Sequence, residues 1–183
     1  MEIYFCSGNQ SKVDEANLYA IQNHSEISFK MNKISFSEVQ SLSQEEILLD
    51  KMAQKKDDKL PFIIDETGIF FEEFNDFPGT LTKFVFKALG YDGIRRLLGQ
   101  NNKAYYKTTI LYSADGKNYF LYTGIVHGRI VFDQTEHYNK NFPFSSIFVP
   151  DGYDKPMIEL EKNKDFMDHR KKAIAKLIAS LSK

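Results

Sequence analysis

Apolar and polar positions along this chain switch between two periods, and the switches mark out its elements. Glu2 to Ser7 holds the nearly unbroken apolar run Ile3-Tyr4-Phe5-Cys6, which predicts a central strand. Gly8-Asn9 interrupts it. From about Ser11, Val13, Ala16 and Ala20 share one face at helical spacing. Ile27, Phe29 and Met31 alternate with polar residues, which predicts a half-buried second strand. Ser43-Gln44-Glu45-Glu46 has the form of a capping box ahead of Ile47, Leu48 and Met52, so a helix is expected to about Lys56. Leu60-Pro61-Phe62-Ile63-Ile64 is expected to be a short buried strand ending in Asp65-Glu66-Thr67-Gly68.

Further on, a Pro78-Gly79 turn precedes a helical stretch from about Thr82 to Leu89, stopped by Gly90. Asp92 opens another short helix that ends before Gly99. Between Ala104 and Val131 the runs become aromatic and β-branched, broken by Asp115-Gly116 and Gly124, and Asp-Gly between such runs predicts a hairpin. Phe148-Val149-Pro150 leads to a Gly-Tyr-Asp loop, and Ile174, Leu177, Ile178 and Leu181 form the stripe of a terminal helix. No internal repeat or long linker interrupts this order. The pattern predicts one α/β domain over residues 1–183, with a mixed sheet flanked by helices in two lobes and a cleft between them.

Composition narrows the chemistry. With 183 residues the chain can bury a substantial core, and its net charge of −1 provides no basic field for a nucleic-acid polymer. Any anion site must be a local cluster, which favours a small anion. Cys6 is the only cysteine, which excludes an intrachain disulfide and a Cys-rich metal site. No stretch approaches the ~20 apolar residues of a membrane span, and the start has no apolar run of signal-peptide length. The expectation is a soluble cytoplasmic protein without a membrane partner.

Four segments could carry chemistry. Lys162 to Arg170 gathers Lys162, Lys164, His169 and Arg170 just ahead of the terminal helix. Cations at a helix start oppose the macrodipole, so the run is either a solvated basic face or the seat of a polyanion. Ser7-Gly8-Asn9-Gln10-Ser11-Lys12 sits at a strand-to-helix switch, where backbone N–H groups and the Lys12 charge could meet a phosphate. It is equally the form of an ordinary turn, and it lacks the ending of a Walker A loop. Glu38, Asp65 and Glu66 are hard oxygen donors of the kind that suit Mg2+, with Asp65-Glu66 following a buried strand. Phe142 and Phe144 flank Pro143 and could form either a stacking shelf for a base or plain core.

Taken together these segments resemble the Ham1/inosine triphosphatase family of nucleoside triphosphate pyrophosphatases, nearly end to end. Ser7-Gly8-Asn9-x-x-Lys12-x-x-Glu15 resembles the family's Thr-Gly-Asn-x-x-Lys-x-x-Glu, and Glu38-Val39-Gln40-Ser41 its metal segment. Asp65-Glu66-Thr67-Gly68-Ile69 is similar to Glu-Asp-Thr/Ser-Gly-Leu, and Phe77-Pro78-Gly79 with Lys83 matches a Pro-Gly turn and nearby Lys. Phe142 to Tyr153 resembles Phe-Gly-Trp/Tyr-Asp-Pro-Ile-Phe-x-Pro-x-Gly-Tyr, and Lys164 to Arg170 resembles Lys-Asn-x-x-Ser-His-Arg.

The resemblance implies Mg2+-dependent hydrolysis of ITP, dITP and XTP to monophosphate and pyrophosphate, by a homodimer. It also implies roles. Ser7, Asn9, Lys12, Lys83, Phe142, Phe144, Ser145, Lys164, His169 and Arg170 would bind the nucleotide. Glu38 and Glu66 would hold the metal, and Glu66, Asp65 and Lys12 would serve catalysis. Three departures stand out. The acidic pair is inverted, so Glu66 stands where the family has its catalytic Asp. Ser145 replaces an Asp that reads the purine edge, and Asp168 replaces the Ser before His-Arg. The alternatives are altered nucleotide specificity and a nucleotide-binding relative without turnover.

Overall fold

The computed structural model describes residues 1–100, 102–132, 143–161, 163 and 165–182. Its elements are β1 (Glu2–Cys6), α1 (Gln10–Gln22), β2 (Ser28–Asn32), α2 (Gln44–Gln54), β3 (Phe62–Phe71), β4 (Pro78–Gly79), α3 (Thr82–Leu98), β5 (Lys103–Ser113), β6 (Phe120–Ile130), β7 (Phe148–Pro150), α4 (Met157–Leu160) and α5 (His169–Leu181). Seven strands form one mixed sheet in the order β2-β1-β3-β5-β6-β7, with β4 paired to β3. β1 runs parallel to β2 and β3, whereas β3–β4 and β6–β7 are antiparallel. This is the expected mixed α/β sheet flanked by helices.

The chain divides into two compact units. The first comprises Met1–Glu66, Thr108–Gly124 and His169–Lys183. Strand alternation builds it. Ile3 and Phe5 of β1, Ile63 of β3 and Ile110 of β5 join Val13 and Ala16 of α1 and Ala173, Ile174 and Leu177 of α5 in one core. The intervening residues Cys6, Phe62, Ile64 and Leu111 turn the other way and pack on Leu48 of α2. Each of these strand residues is therefore claimed by one helical layer or the other. Cys6 is a buried small hydrophobe, and burial pushes its thiol up to about 11.

The second unit comprises Thr67–Lys107 and Ile125–Asp168. Ile69, Phe71, Tyr106, Val126 and Phe148 of its strands pack against Ile94 and Leu98 of α3 and Met157 of α4. Helix α3 contains both expected helical stretches, joined across Gly90 at φ 57° and ψ −169° and ended by Gly99. The four-residue α4 carries no readable period.

Two expectations change, and one gains detail. β3 does not stop at Ile64; it continues through the acidic pair to Phe71, because side chains from α1, α2 and α5 satisfy the polar residues in mid-strand. The expected hairpin joins β5 and β6 through a longer loop, residues 114–119, organised by Asp115, which accepts from the Lys117 and Asn118 backbone N–H groups. The α2 cap is half a capping box. Ser43 accepts from the Glu46 N–H, but the Ser43 N–H donates to Ser41, whose hydroxyl in turn donates to the Glu46 carboxylate.

Candidate active site

The site begins with alternation on β3. Neighbouring strand residues face opposite sides of a sheet, so the dipeptide Asp65-Glu66 sends its carboxylates apart. Asp65 follows Ile63 toward α1 and α5, and Glu66 follows Phe62 and Ile64 toward α2. Two ionic networks result, back to back on one strand of the first unit.

On the first face Asp65 is buried between two cations. Lys12 Nζ donates to Oδ1 at 2.9 Å, and Arg170 Nε donates to Oδ2 at 3.3 Å. Arg170 Nη1 also donates to Glu15 Oε2 at 2.7 Å. Burial opposes the Asp65 charge, but Lys12 and Arg170 outweigh it and hold the carboxyl at about 2. His169 opens α5 beside this network, with Nδ1 2.6 Å from the Thr108 hydroxyl. Burial, reinforced by Arg170, depresses its pKa to about 3, so the ring is neutral at neutral pH. The basic start of α5 is thus an internal feature rather than a solvated face.

Sequence places Lys12 here through the turn before α1. The Ser7 hydroxyl accepts from the Asn9 N–H at 3.1 Å, and Asn9 Oδ1 caps the helix by accepting from the Ser11 N–H at 3.0 Å. The two residues fix the helix start one turn below Lys12.

On the second face Glu66 meets α2. Gln44, Ile47, Leu48 and Lys51 share the buried side of that helix. Lys51 Nζ donates to Glu66 Oε2 at 2.6 Å and to Glu38 Oε1 at 3.1 Å. Gln44 ties the strand down, donating to the Glu66 carbonyl at 3.3 Å and accepting from the Thr109 hydroxyl at 2.7 Å. Burial raises the Glu66 pKa despite Lys51, with Asp65 and Glu38 adding to the rise. Burial also opposes the Lys51 charge, but Glu66 and Glu38 prevail and its pKa rises.

Glu38 and Glu66 converge on a single cation, the Lys51 ammonium. Two carboxylates are a small donor set, and among the described residues no group of three or more His, Cys, Asp or Glu side chains is assembled for a metal. Mg2+ needs no more, since it keeps waters and shares substrate phosphates.

A sequence profile of the Ham1 family matches residues 3–180. The chain belongs to the Ham1 family. It is 34% identical over 182 residues to the dITP/XTP pyrophosphatase of Thermococcus kodakarensis, covering 95% of this chain and 94% of that one. It is 32% identical over 181 residues to the inosine triphosphate pyrophosphatase of Candida glabrata, covering 94% and 93%. In structure it is similar to a Ham1 protein from Coxiella burnetii, with a TM-score of 0.77, 19% identity and coverage of 100% and 98%. That last likeness concerns the fold.

The remaining expected residues of this Ham1 chain lie elsewhere. Lys83, on the first turn of α3, is exposed in the second unit. Ser145 is buried there in a short turn, Pro143–Ser146. Phe144 is 1% exposed and packs edge-on against Phe71 and Phe86, so of its two roles it fills the core one, and its expected stacking role is corrected. Phe142 and Lys164 lie outside the described residues. Asp168 is buried. Sequence reasoning missed Lys51, Thr108 and Gln44 as parts of the site. A signal existed for Lys51, a charge three and four residues beyond Leu48 and Ile47 on the apolar face of α2.

Proposed function

We propose that this Ham1-family chain is a nucleoside triphosphate pyrophosphatase, a hydrolase that converts ITP, dITP and XTP to the monophosphate and pyrophosphate with Mg2+. The observation that carries this is the splitting of Asp65-Glu66, which gathers Lys12 and Arg170 around Asp65 on one face of β3 and Glu38 and Lys51 around Glu66 on the other. The names of the relatives support the substrate class. The resemblance extends the proposal to a cytoplasmic homodimer, which sedimentation would check.

In this mechanism Lys12 and Arg170 take phosphate oxygens, with Asp65 holding both side chains ready between turnovers. Neutral His169 adds a hydrogen bond without adding charge. Glu38 and Glu66 would hold Mg2+, which neutralises phosphate charge and acidifies a bound water when present. Water attacks the α-phosphorus. A new oxygen–phosphorus bond forms, the bond to the bridging oxygen breaks, and pyrophosphate leaves with the electron pair. Glu66 accepts the proton of the water. Most of the acceleration comes from positioning and charge neutralisation.

The test is pyrophosphate release from ITP, XTP, GTP, ATP and pyrimidine triphosphates, with and without Mg2+. The expected result is Mg2+-dependent turnover of ITP and XTP, and Glu66→Gln should lower kcat on the order of 10²–10⁴-fold with the fold intact. Absence of turnover with every nucleotide sinks the proposal. Near-normal rates in Glu66→Gln move the base to another group.

A further inference from the structure

Glu38 and Glu66 come from separate segments, the stretch before α2 and the middle of β3, yet both close on one ammonium. Lys51 Nζ lies 2.6 Å from Glu66 Oε2 and 3.1 Å from Glu38 Oε1. These are the two carboxylates assigned above to the divalent ion, so a cation tethered to the protein already sits between them. The Lys51 side chain is 7% exposed and that of Glu66 13%, whereas that of Glu38 is 50% exposed. The pair is therefore shielded from solvent and salt on the Lys51 side and open at Glu38.

We propose that Lys51 is the resident counter-ion of the metal site, excluding a free divalent ion from the nucleotide-free protein, so that the metal enters together with the nucleotide. The proposal rests on the assignment of Glu38 and Glu66 as the metal pair. Physically, a free ion could reach both carboxylates only by displacing the ammonium. Lys51 would then be a buried charge beside a dication with no anion left to pair with, an arrangement that proteins do not tolerate cheaply. A triphosphate reverses the balance. Its oxygens supply a new anionic partner for Lys51 and also complete the coordination of the ion. Metal and lysine are thus negatively coupled at one pair of carboxylates, and the nucleotide relieves the coupling.

The experiment is Mn2+ binding to the nucleotide-free, full-length protein, read by electron paramagnetic resonance of the free ion and by titration calorimetry. Wild type should show no saturable binding at low millimolar Mn2+. Lys51→Met should bind tighter on the order of ten- to a hundredfold, and Lys51→Met with Glu38→Gln should lose that gain. Lys51→Arg, which keeps the charge, should exclude the ion as wild type does. Thermal melts by circular dichroism establish that each variant is folded. The proposal is overturned if wild type and Lys51→Met bind equally, whether both tightly or both not at all. Nucleotide turnover plays no part in this comparison, so failure of the pyrophosphatase assay and failure of the Mn2+ series are distinguishable.

Discussion

Asp65→Asn isolates the energetic centre of the first network. The wild-type carboxyl falls from an ordinary 3.8 to about 2 because Lys12 and Arg170 overcome its burial. That depression corresponds to roughly 2–3 kcal/mol of stability at neutral pH. Asparagine keeps the shape but leaves two cations facing a neutral amide. Removing one partner of a buried pair costs roughly 3–5 kcal/mol, and the lower end applies here because Arg170 retains Glu15 and the Lys12 side chain is 22% exposed. For a chain of this size that is a drop in Tm of about 6–12 °C. The pH dependence has a definite sign. Because the folded pKa lies below the unfolded one, the contribution is complete above about pH 5, falls as acid is added, is roughly halved by pH 3 and is nearly gone at pH 2. Thermal and urea melts of wild type and Asp65→Asn from pH 7 to pH 3 read the gap directly. A Tm shift below about 1 °C at pH 7, or a gap that does not narrow between pH 5 and pH 3, refutes the assignment of Asp65 as the anion that holds Lys12 and Arg170.

Three further outcomes follow from the same geometry. With a pKa of about 3 the His169 ring should stay neutral, so its Cε1–H resonance should be flat from pH 8 to pH 5. Because the unfolded chain takes up a proton near 6.5 while the folded one does not, His169 should lower stability as pH falls through that value, and a titration midpoint near 6.5 in the folded protein contradicts its burial. Gly124→Ala should destabilise by about 1–3 kcal/mol, since a Cβ there would press on the His169 carbonyl, the Ala173 nitrogen and Lys172 at the start of α5. Unchanged urea midpoints would mean that this helix start yields freely. Ser145→Asp, which restores the family residue, should increase the ratio of kcat/KM for ITP over GTP by about tenfold or more, and an unchanged ratio would mean that the purine edge is read elsewhere.

What could be read without coordinates depended on how local the cause was. β1 was legible because Ile3, Tyr4, Phe5 and Cys6 must all be covered, and the two faces of the sheet do cover them. The α1 face of Val13, Ala16 and Ala20 was legible for the same reason. The continuation of β3 was not. Asp65-Glu66-Thr67-Gly68 has the composition of a loop, and what makes it a strand lies far off in the chain. Lys12 is 53 positions from Asp65, and Arg170 is 105. Lys51 hid in the opposite way, inside a local pattern that already had an explanation as an amphipathic helix. Phe144 had two meanings beside Pro143, and only the packing of Phe71 and Phe86 around it chose the core.

The inverted acidic pair becomes intelligible on the same terms. Position 65 faces the covered side of the strand, where a short carboxylate reaches both Lys12 and Arg170 and a longer one would have to displace core atoms. Position 66 faces α2, where the acid must reach a lysine anchored on a helix, and Glu66 does so at 2.6 Å. An Asp at that position would end roughly 1.5 Å short, one carbon–carbon bond, unless the strand moved inward. The environments also divide the chemistry. A carboxylate held at about 2 by two cations has little affinity for a proton, which makes Asp65 a clamp. A carboxylate whose burial and like-charged neighbours raise its pKa holds a proton more readily than Asp65 does, which sets Glu66 apart from the clamp. The extra methylene therefore belongs with the residue that has to reach outward, and the missing one with the residue that must stay enclosed.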